Sequence, residues 1–211
     1  MIRNIVFDMG GVLVDVHRER AIRQFQSIGV RRAAELIDSS HHSGIFLAIE
    51  DGSIDADTFC RRLCAEAGRA IPREAIEQAW QSIVDPPAPY RLDCVLELRK
   101  RYRTFVLSNN NPILMDGWAR TARFSAAGRP VTDYFDRVYV SYEMKCVKPD
   151  MAIYRMMVAD SGIVPSETLF LDDSRDNIRA GEAAGFRTHL VRNGEDWRGA
   201  VSAILEAEGR V

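Results

Sequence analysis

Two patterns of apolar residues alternate along this chain, one typical of buried strands and one typical of helices. Short runs of apolar and β-branched residues are typical of buried strands, and such runs lie at residues 2–8, 104–108, 138–141, 168–172 and 188–191. Apolar residues recur with the spacing of one helix face at residues 92–100, 151–159 and 178–184. Strands that alternate with helices of this length predict an α/β fold built on a Rossmann-like, doubly wound parallel sheet.

A block of helical periodicity interrupts this alternation directly after the first strand. Strand signal is nearly absent from there to about residue 84, and Asp55 is predicted to begin one of the helices. A stiff, proline-rich connector at residues 85–90 follows. We therefore predict a core of residues 1–15 and 86–211, with a small helical cap domain inserted at residues 16–85.

Composition and charge narrow the classes of partner. The formal net charge is −2 and there is no long basic run, so neither nucleic acid nor an anionic membrane is an expected partner. No apolar run approaches the ~20 residues that a membrane-spanning helix needs. The first residues lack the features of a signal peptide, so a cytoplasmic location is expected.

Polar side chains stand where several predicted strands end. Carboxyl ends of parallel strands meet at one edge of a sheet, which is where open α/β sheets bind ligands. Glycines at positions 10 and 11 follow the first strand and permit close backbone approach. The polar residues expected together at this edge are Asp8, Ser108, Asn109, Lys148, Asp172 and Asp173.

The chemistry of this set is coherent. Three carboxylates, Asp8, Asp172 and Asp173, repel one another unless a proton or a cation intervenes, and Mg²⁺ prefers such oxygen ligands. Ser108, backbone N–H groups and Lys148 are suited to bind phosphate oxygens. Asp8 can then attack phosphorus, form an aspartyl-phosphate and be released by water. These residues predict a Mg²⁺-dependent phosphatase.

Four segments of the chain resemble the motifs of the haloacid dehalogenase-like hydrolase superfamily. They are Phe-Asp-Met-Gly-Gly-Val-Leu from residue 7, Leu-Ser-Asn-Asn from residue 107, Lys-Pro-Asp-Met-Ala-Ile-Tyr from residue 148, and Phe-Leu-Asp-Asp-Ser-Arg-Asp-Asn from residue 170. Within the superfamily the chain is similar to glucose-1-phosphatase-like phosphatases, which carry a helical cap after the first strand.

The resemblance implies a role for each motif residue. Asp8 would be the nucleophile and a Mg²⁺ ligand, and Ser108 with Asn109 would bind the transferring phosphate. Lys148 would stabilise charge on the nucleophile and the phosphate. The remaining metal ligands would be Asp173, the backbone carbonyl of Gly10, and Asp172 as a further ligand or a supporting partner.

Gly10 departs from the family pattern. Phosphatases of this superfamily usually carry an aspartate at this position, which serves as general acid and base. Such assistance contributes typically ~10²–10⁴-fold, so its loss predicts slow turnover unless it is replaced. Either the substrate has a good leaving group, as a sugar 1-phosphate has in its anomeric oxygen or as an acyl phosphate has, or another side chain donates the proton. The candidates for such a donor are His17, His41, His42 and Asp15.

The expected substrate is a small phosphorylated metabolite, and two other functions stay open. One is a haloacid dehalogenase-type hydrolase of carbon–halogen bonds. The other is a catalytically impaired protein that binds a phosphate ligand. Residues 39–52 are the candidate specificity loop, with an amphipathic helix between glycine turns as the alternative. Residues 112–135 have no assigned element, and the oligomeric state is open.

Overall fold

The computed structural model describes residues 1–37 and 43–208. Its five strands are β1 Asn4–Phe7, β2 Arg103–Ser108, β3 Arg137–Val140, β4 Thr168–Asp172 and β5 Arg187–Leu190. They form one sheet in the order β3-β2-β1-β4-β5, and every pair in it is parallel. The predicted doubly wound parallel sheet is confirmed.

The central strands are apolar because they are covered on both faces. All four residues of β1 are buried, and alternate residues of a strand point to opposite faces. Ile5 and Phe7 accordingly pack in one hydrophobic cluster, whereas Val6 packs in a second cluster on the other face. The edge strand β5 is only partly buried and begins with an exposed arginine, Arg187, which suits an edge.

Helices cover the sheet and form the block that follows β1. Their bounds are α1 Arg18–Ser27, α2 Ala33–Leu36, α3 Gly44–Glu50, α4 Ala56–Ala67, α5 Arg73–Gln81, α6 Pro89–Arg99, α7 Pro112–Leu114, α8 Ser141–Met144, α9 Met151–Ser161, α10 Arg175–Ala183 and α11 Arg198–Glu208. Within the described ranges, none of these helices has both the length and the apolar character that crossing a membrane requires.

Helices α1 to α5, hereafter the helical block, have an aromatic core of their own. Asp55 caps α4 as predicted, because its carboxylate accepts a hydrogen bond of 2.7 Å from the backbone N–H of Thr58. The rings at the centre of the block are buried, and their centroids lie 5.0–5.9 Å apart, the range of favourable aromatic pairs. These rings belong to Phe25, Phe46, Phe59 and Trp80.

The chain enters and leaves the helical block through adjacent backbone segments. Val16 forms an antiparallel bridge with Val84, and the backbone N–H of Asp85 donates to the carbonyl of Asp15 at 3.1 Å. This narrow double connection supports a boundary near residues 16 and 85. The division into a core and a cap domain stays a prediction.

The connection at residues 112–135 is an ordered part of the core. Helix α7 continues into a π-helix, Met115–Ala119, and a 3₁₀ turn follows at Val131–Asp133. Trp118 and Tyr134 both pack against Phe124, with ring centroids 5.3 and 6.2 Å apart. Tertiary packing therefore holds this segment, which explains why no regular pattern marked it in the sequence.

Candidate active site

Asp8 stands at the carboxyl end of the central strand. Its backbone N–H donates to the carbonyl of Leu171 in β4 at 2.8 Å, so the sheet holds the residue one step beyond β1. Its Oδ1 accepts a hydrogen bond of 2.6 Å from the backbone N–H of Met9, and the residue is only 8% exposed. The carboxylate is thus held rigidly and faces a cavity rather than open solvent.

Lys148 is a buried ammonium that joins two of the predicted carboxylates. Its Nζ donates to Asp172 Oδ2 at 2.6 Å and to the carbonyl of Leu107 at 2.8 Å, and lies 3.0 Å from Asp8 Oδ1. Burial lowers the pKa of Lys148, but Asp172 and Asp8 outweigh that effect, and the pKa lies above its ordinary value. Lys148 therefore stays charged at neutral pH.

Asn109 positions the backbone of Lys148. Its Nδ2 donates to the carbonyl of Lys148 at 2.9 Å, and its Oδ1 accepts from the N–H of Lys148 at 2.8 Å. The side-chain amide is therefore engaged on both atoms. Ser108 lies beside it at the end of β2, is 2% exposed and lines the same cavity as Asp8.

The two neighbouring aspartates at the end of β4 have different surroundings. Asp172 is fully buried, and its Oδ1 accepts hydrogen bonds from the N–H of Ser174 at 2.8 Å and from Asn177 Nδ2 at 3.0 Å. Asp173 is exposed and lines the cavity. One ligand oxygen from each of Asp8, Asp172 and Asp173 can be chosen so that all lie within 4.8 Å of one another.

The positive charge near the three carboxylates is not enough to keep all of them ionised. Burial raises the pKa of Asp8 to about 8 despite the opposing effect of Lys148, and the Asp172 and Asp173 carboxylates add to the rise. Although Asp173 is exposed in part, desolvation by the surrounding atoms and then the charge of Asp172 also raise the pKa of its carboxyl. A cluster of this kind either takes up a proton or binds a cation. Oxygen-only ligands suit Mg²⁺, so the residues present fit the predicted metal.

The glycine turn after Asp8 is shaped by its closeness to Asp173. Gly11 has a φ of +70°, and a Cβ added to it would overlap the carboxylate of Asp173. A Cβ on Gly10 would lie 3.2 Å from Cγ2 of Val16. A side chain at position 10 would therefore crowd Val16, the residue that leads into the helical block.

The cavity above these residues has a volume of about 550 Å³. Its floor consists of core residues that include Asp8, Ser108, Asn109, Lys148 and Asp173. Its roof comes from the helical block and the segments that join it to the core. The roof residues are Val16, Arg18, Leu47, Glu50, Trp80, Ile83 and Val84.

None of the roof residues was among the site residues predicted from the sequence. Glu50 and Leu47 fall within residues 39–52, the candidate specificity loop, whose residues 44–50 form helix α3. Arg18 and Trp80 had no distinguishing signal, because an arginine at a helix start and a tryptophan on a helical stripe are ordinary features. Arg18 has a buried Nε with no hydrogen-bond partner among the described residues.

The two predicted proton donors that the structure describes, His17 and Asp15, lie outside the lining of this cavity. His17 Nε2 lies 2.6 Å from Asp85 Oδ2, and Asp15 forms an ion pair of 2.7 Å with Arg91. His41 and His42 lie outside the residues that the structure describes.

Comparison with known proteins gives close relatives over the whole chain. A D-ribitol-5-phosphate phosphatase from Bacteroides thetaiotaomicron is 42% identical over 207 residues, which are 98% of this chain and 100% of that protein. A HAD-like family hydrolase from Porphyromonas gingivalis has a similar structure, with a TM-score of 0.93 at 39% identity over 97% of this chain and 98% of its own.

A second solved structure is a HAD family enzyme from Bacteroides thetaiotaomicron in complex with magnesium and inorganic phosphate. Its TM-score is 0.82 at 35% identity, over 93% of this chain and 98% of its own. Residues 2–185 of the present chain match the family described as haloacid dehalogenase-like hydrolase. The chain therefore belongs to the haloacid dehalogenase-like hydrolases, as the four motifs predicted.

Proposed function

We propose that this chain is a Mg²⁺-dependent phosphatase that hydrolyses phosphate monoesters of small polyhydroxylated metabolites through an aspartyl-phosphate on Asp8. The observation that carries the proposal is the buried contact of Lys148 with both Asp8 and Asp172 at the floor of the cavity. A fixed ammonium there offsets negative charge where an anionic phosphate meets a carboxylate nucleophile. The ribitol-5-phosphate phosphatase and the magnesium–phosphate complex among the relatives support it.

The similarity favours a sugar alcohol phosphate over the sugar 1-phosphate expected from the sequence. The relative that is similar over its full length is named for D-ribitol 5-phosphate, an ester of a primary alcohol. A cavity of about 550 Å³ has room for a molecule of that size. We therefore propose an open-chain polyol phosphate as the first substrate to test and a hexose 1-phosphate as the second.

The nucleophilic step is assigned to Asp8 Oδ2. Oδ1 already accepts from the N–H of Met9 and contacts Lys148, so Oδ2 is the oxygen left for attack on phosphorus. The new Oδ2–P bond forms as the bond from phosphorus to the alcohol oxygen breaks, and the alcohol leaves with a proton from a cavity water, which becomes hydroxide. A second water gives a proton to that hydroxide as it attacks phosphorus, the Oδ2–P bond breaks, and phosphate and the Asp8 carboxylate are released.

Other floor residues bind and orient the phosphoryl group. Ser108 would donate its hydroxyl to a phosphate oxygen, and Asn109 would use its backbone N–H, because its side-chain amide is engaged by Lys148. Lys148 would favour the ionised form of Asp8, which the cation completes when bound, and would attract the phosphate. Such fixed donors and charges act strongly in a site that excludes water.

We assign Mg²⁺ to Asp8, Asp173 and the backbone carbonyl of Gly10. Asp172 would support the site from behind, because its oxygens accept hydrogen bonds from Lys148, Ser174 and Asn177. When bound, the cation would neutralise charge on the carboxylates and on the phosphate. The helical block together with its joining segments, residues 16–85, would act as the cap that closes the cavity.

The test is release of phosphate by the purified protein from D-ribitol 5-phosphate, both anomers of glucose 1-phosphate and p-nitrophenyl phosphate. Turnover should require Mg²⁺, stop with EDTA and disappear in Asp8→Asn. Asp93→Asn, an exposed aspartate on α6, is the matched control and should behave as the wild type.

Two results would contradict the proposal. Halide release from 2-chloropropionate without phosphatase activity would favour the dehalogenase alternative. Tight phosphate binding without turnover of any ester would favour the impaired binding protein. The cytoplasmic location and the exclusion of nucleic acid and membrane partners stay predictions from the sequence.

A further inference from the structure

One buried hydrogen-bond donor of the roof, the Nε of Arg18, has no acceptor among the described residues. Arg18 begins helix α1, is half-buried and lines the cavity. Buried polar groups in folded proteins are nearly always hydrogen-bonded, so an unmatched donor requires a physical reason. A donor in the lining of a cavity can be satisfied by a ligand that brings an acceptor oxygen.

The start of α1 is anchored to the core close to the nucleophile. Met9 directly follows the predicted nucleophile, and its carbonyl accepts from the N–H of Val14 at 3.0 Å. The N–H of Val16 donates to Asn193 Oδ1 at 2.9 Å, and the carbonyl of Val16 accepts from Asn193 Nδ2 at 3.0 Å. Arg18 lies two residues beyond this doubly bonded point, so its backbone keeps a defined position relative to the floor.

The charge of Arg18 acts at the acidic cluster on the floor. It opposes the rise in the pKa of the Asp173 carboxyl, so the guanidinium lies near that side chain, although Arg18 also borders a groove between α1 and α2. Lys148 in the floor is bound by two aspartates, and Arg175 and Arg179 are exposed on α10. Among the described roof residues Arg18 is the single cation.

Among the described residues, the cavity offers no acid that is free to protonate a leaving group. Position 10 carries no side chain, and His17 and Asp15 are engaged outside the cavity. Of the acids in the lining, Glu50 already has an interaction partner, and Asp176 is paired with an exposed arginine. The other two are the predicted nucleophile and the predicted metal ligand of β4. Charge on the leaving oxygen must therefore be stabilised in another way.

In-line displacement determines where the leaving oxygen lies. The attacking and leaving oxygens stand on opposite sides of phosphorus. Asp8 would attack from the floor, so the leaving oxygen lies on the side of phosphorus that faces the roof. Negative charge grows on this oxygen as its bond breaks, and a fixed cation there stabilises the transition state more than the bound ester. The roof is the side of the cavity that carries Arg18.

We propose that Arg18 stabilises the negative charge of the leaving oxygen in place of the missing general acid, an inference that rests on the proposed phosphatase function. Its guanidinium would donate hydrogen bonds to that oxygen as the bond to phosphorus breaks. An arginine keeps its proton in proteins, so the proton that completes the alcohol still comes from a cavity water. Arg18 contributes the charge, and water contributes the proton.

The test compares Arg18→Met with the wild type on two esters, at saturating Mg²⁺ so that an effect through the metal site is excluded. D-Ribitol 5-phosphate releases an alkoxide, and p-nitrophenyl phosphate releases a phenolate that spreads its charge over the ring. For ribitol 5-phosphate kcat/KM should fall by about 10²-fold or more, as on removal of one donor to an oxyanion. For p-nitrophenyl phosphate it should stay within about threefold, because less charge gathers on the leaving oxygen.

A second variant restores the missing acid. Gly10→Asp places a carboxyl where the superfamily usually carries one, and a shift of Val16 by a few tenths of an ångström makes room for it. In this background Arg18→Met should cost at least about tenfold less on ribitol 5-phosphate, because proton transfer replaces the stabilising charge. A merely structural role of Arg18 predicts the same loss in both backgrounds.

The matched control is Arg23→Met. Arg23 is an exposed arginine on the same helix, is not among the residues that line the cavity, and should leave both esters unchanged. Thermal unfolding of each variant checks that the fold is intact.

The outcomes distinguish this inference from the proposed function. Equal loss on both esters in Arg18→Met indicates binding of the phosphoryl group instead, and it overturns the role of Arg18 at the leaving oxygen while the phosphatase stands. No loss on either ester, or an undiminished loss in the Gly10→Asp background, does the same. A wild type that hydrolyses no ester overturns the proposed function and this inference with it.

Discussion

The floor and the roof of the cavity are built in different ways. Asp8 directly follows β1 and Asp172 ends β4, and contacts of 2.6–3.0 Å join both to Lys148, whose backbone is held by Asn109. The roof comes from helices with a separate aromatic core, and Ser141 and Lys145 attach it to the core. Its lining is largely apolar, with Arg18 and Glu50 as its charged members.

This difference separates two tasks. Reacting groups need a fixed geometry, and a buried parallel sheet supplies it because strand ends cannot move without breaking ladder hydrogen bonds. Choice of substrate requires a surface that meets the variable part of the molecule. Helices that are inserted between two strands can supply that surface without disturbing the sheet. Substitutions in the floor should therefore change turnover on every ester, and those in the roof should change the preference among esters.

The largest expected effect is that of Lys148→Met in the floor. It removes the ammonium that holds Asp8 and Asp172 together, so kcat should fall by about 10³-fold on every ester. Breaking a buried ion pair also costs about 3–5 kcal/mol, so urea unfolding is measured in parallel. Lys100→Met, an exposed lysine, should have neither effect. A change confined to one ester would contradict the assignment of Lys148 to the floor.

Gly11→Ala should weaken the metal site. The new Cβ would overlap the carboxylate of Asp173 at a φ of +70°, so Asp173 must move away from Asp8. We expect the Mg²⁺ concentration for half-maximal activity to rise by about tenfold, within the range that loss of a metal-supporting contact produces.

Gly128→Ala is the matched control for this change. Gly128 has nearly the same φ, +69°, but nothing lies within 4 Å of an added Cβ. It should therefore lose some stability from backbone strain and keep its Mg²⁺ dependence. Equal Mg²⁺ dependence in both variants would show that strain, not Asp173, accounts for the effect.

Mg²⁺ should stabilise the protein more at pH 8 than at pH 6. In the metal-free fold the pKa of Asp8 is raised to about 8, chiefly by burial, whereas in the unfolded chain it is about 4. A raised pKa contributes stability that is complete below the unfolded value and is lost as pH rises through 8.

Mg²⁺ binds the ionised carboxylate and so offsets this loss. Urea unfolding with and without Mg²⁺ at the two pH values measures the difference. In Asp8→Asn the part of the pH dependence due to this group should be absent. A stabilisation by Mg²⁺ that is the same at both pH values would be inconsistent with the raised pKa of Asp8.

The smallest effect is expected for Ser141→Ala, which loosens the roof from the floor. It leaves the buried N–H of Asn110 without its hydroxyl acceptor, which costs about 1–3 kcal/mol of stability. KM for ribitol 5-phosphate should rise by a few-fold, while kcat for p-nitrophenyl phosphate changes less. Ser161→Ala, which removes a hydroxyl contact to Met157 at the end of α9, is the control. Equal effects of both variants on KM would argue against coupling through Ser141.

The elements that the sequence predicted well are those with a strong local pattern. The predicted strand 168–172 agrees with β4 residue for residue, because a strand buried on both faces is a continuous apolar run. Residues 112–135 gave no such pattern, because short α, π and 3₁₀ turns there are held by packing of Trp118 and Phe124. Helix α11 was not predicted either, although its residue Val201 packs into the main core.

The sequence by itself determined the parallel sheet and the convergence of Asp8, Lys148, Asp172 and Asp173. Strand ends on one edge of a sheet lie close together, which is enough for the three aspartates, and Lys148 follows β3 after one short helix. Only the tertiary structure decided that the Asn109 side chain forms two hydrogen bonds with the backbone of Lys148. It also decided that Glu50 and Arg18 line the roof. Asn109 and Lys148 lie in different loops of the core, and Arg18 and Glu50 lie on different helices of the helical block, so these arrangements depend on how separate elements pack.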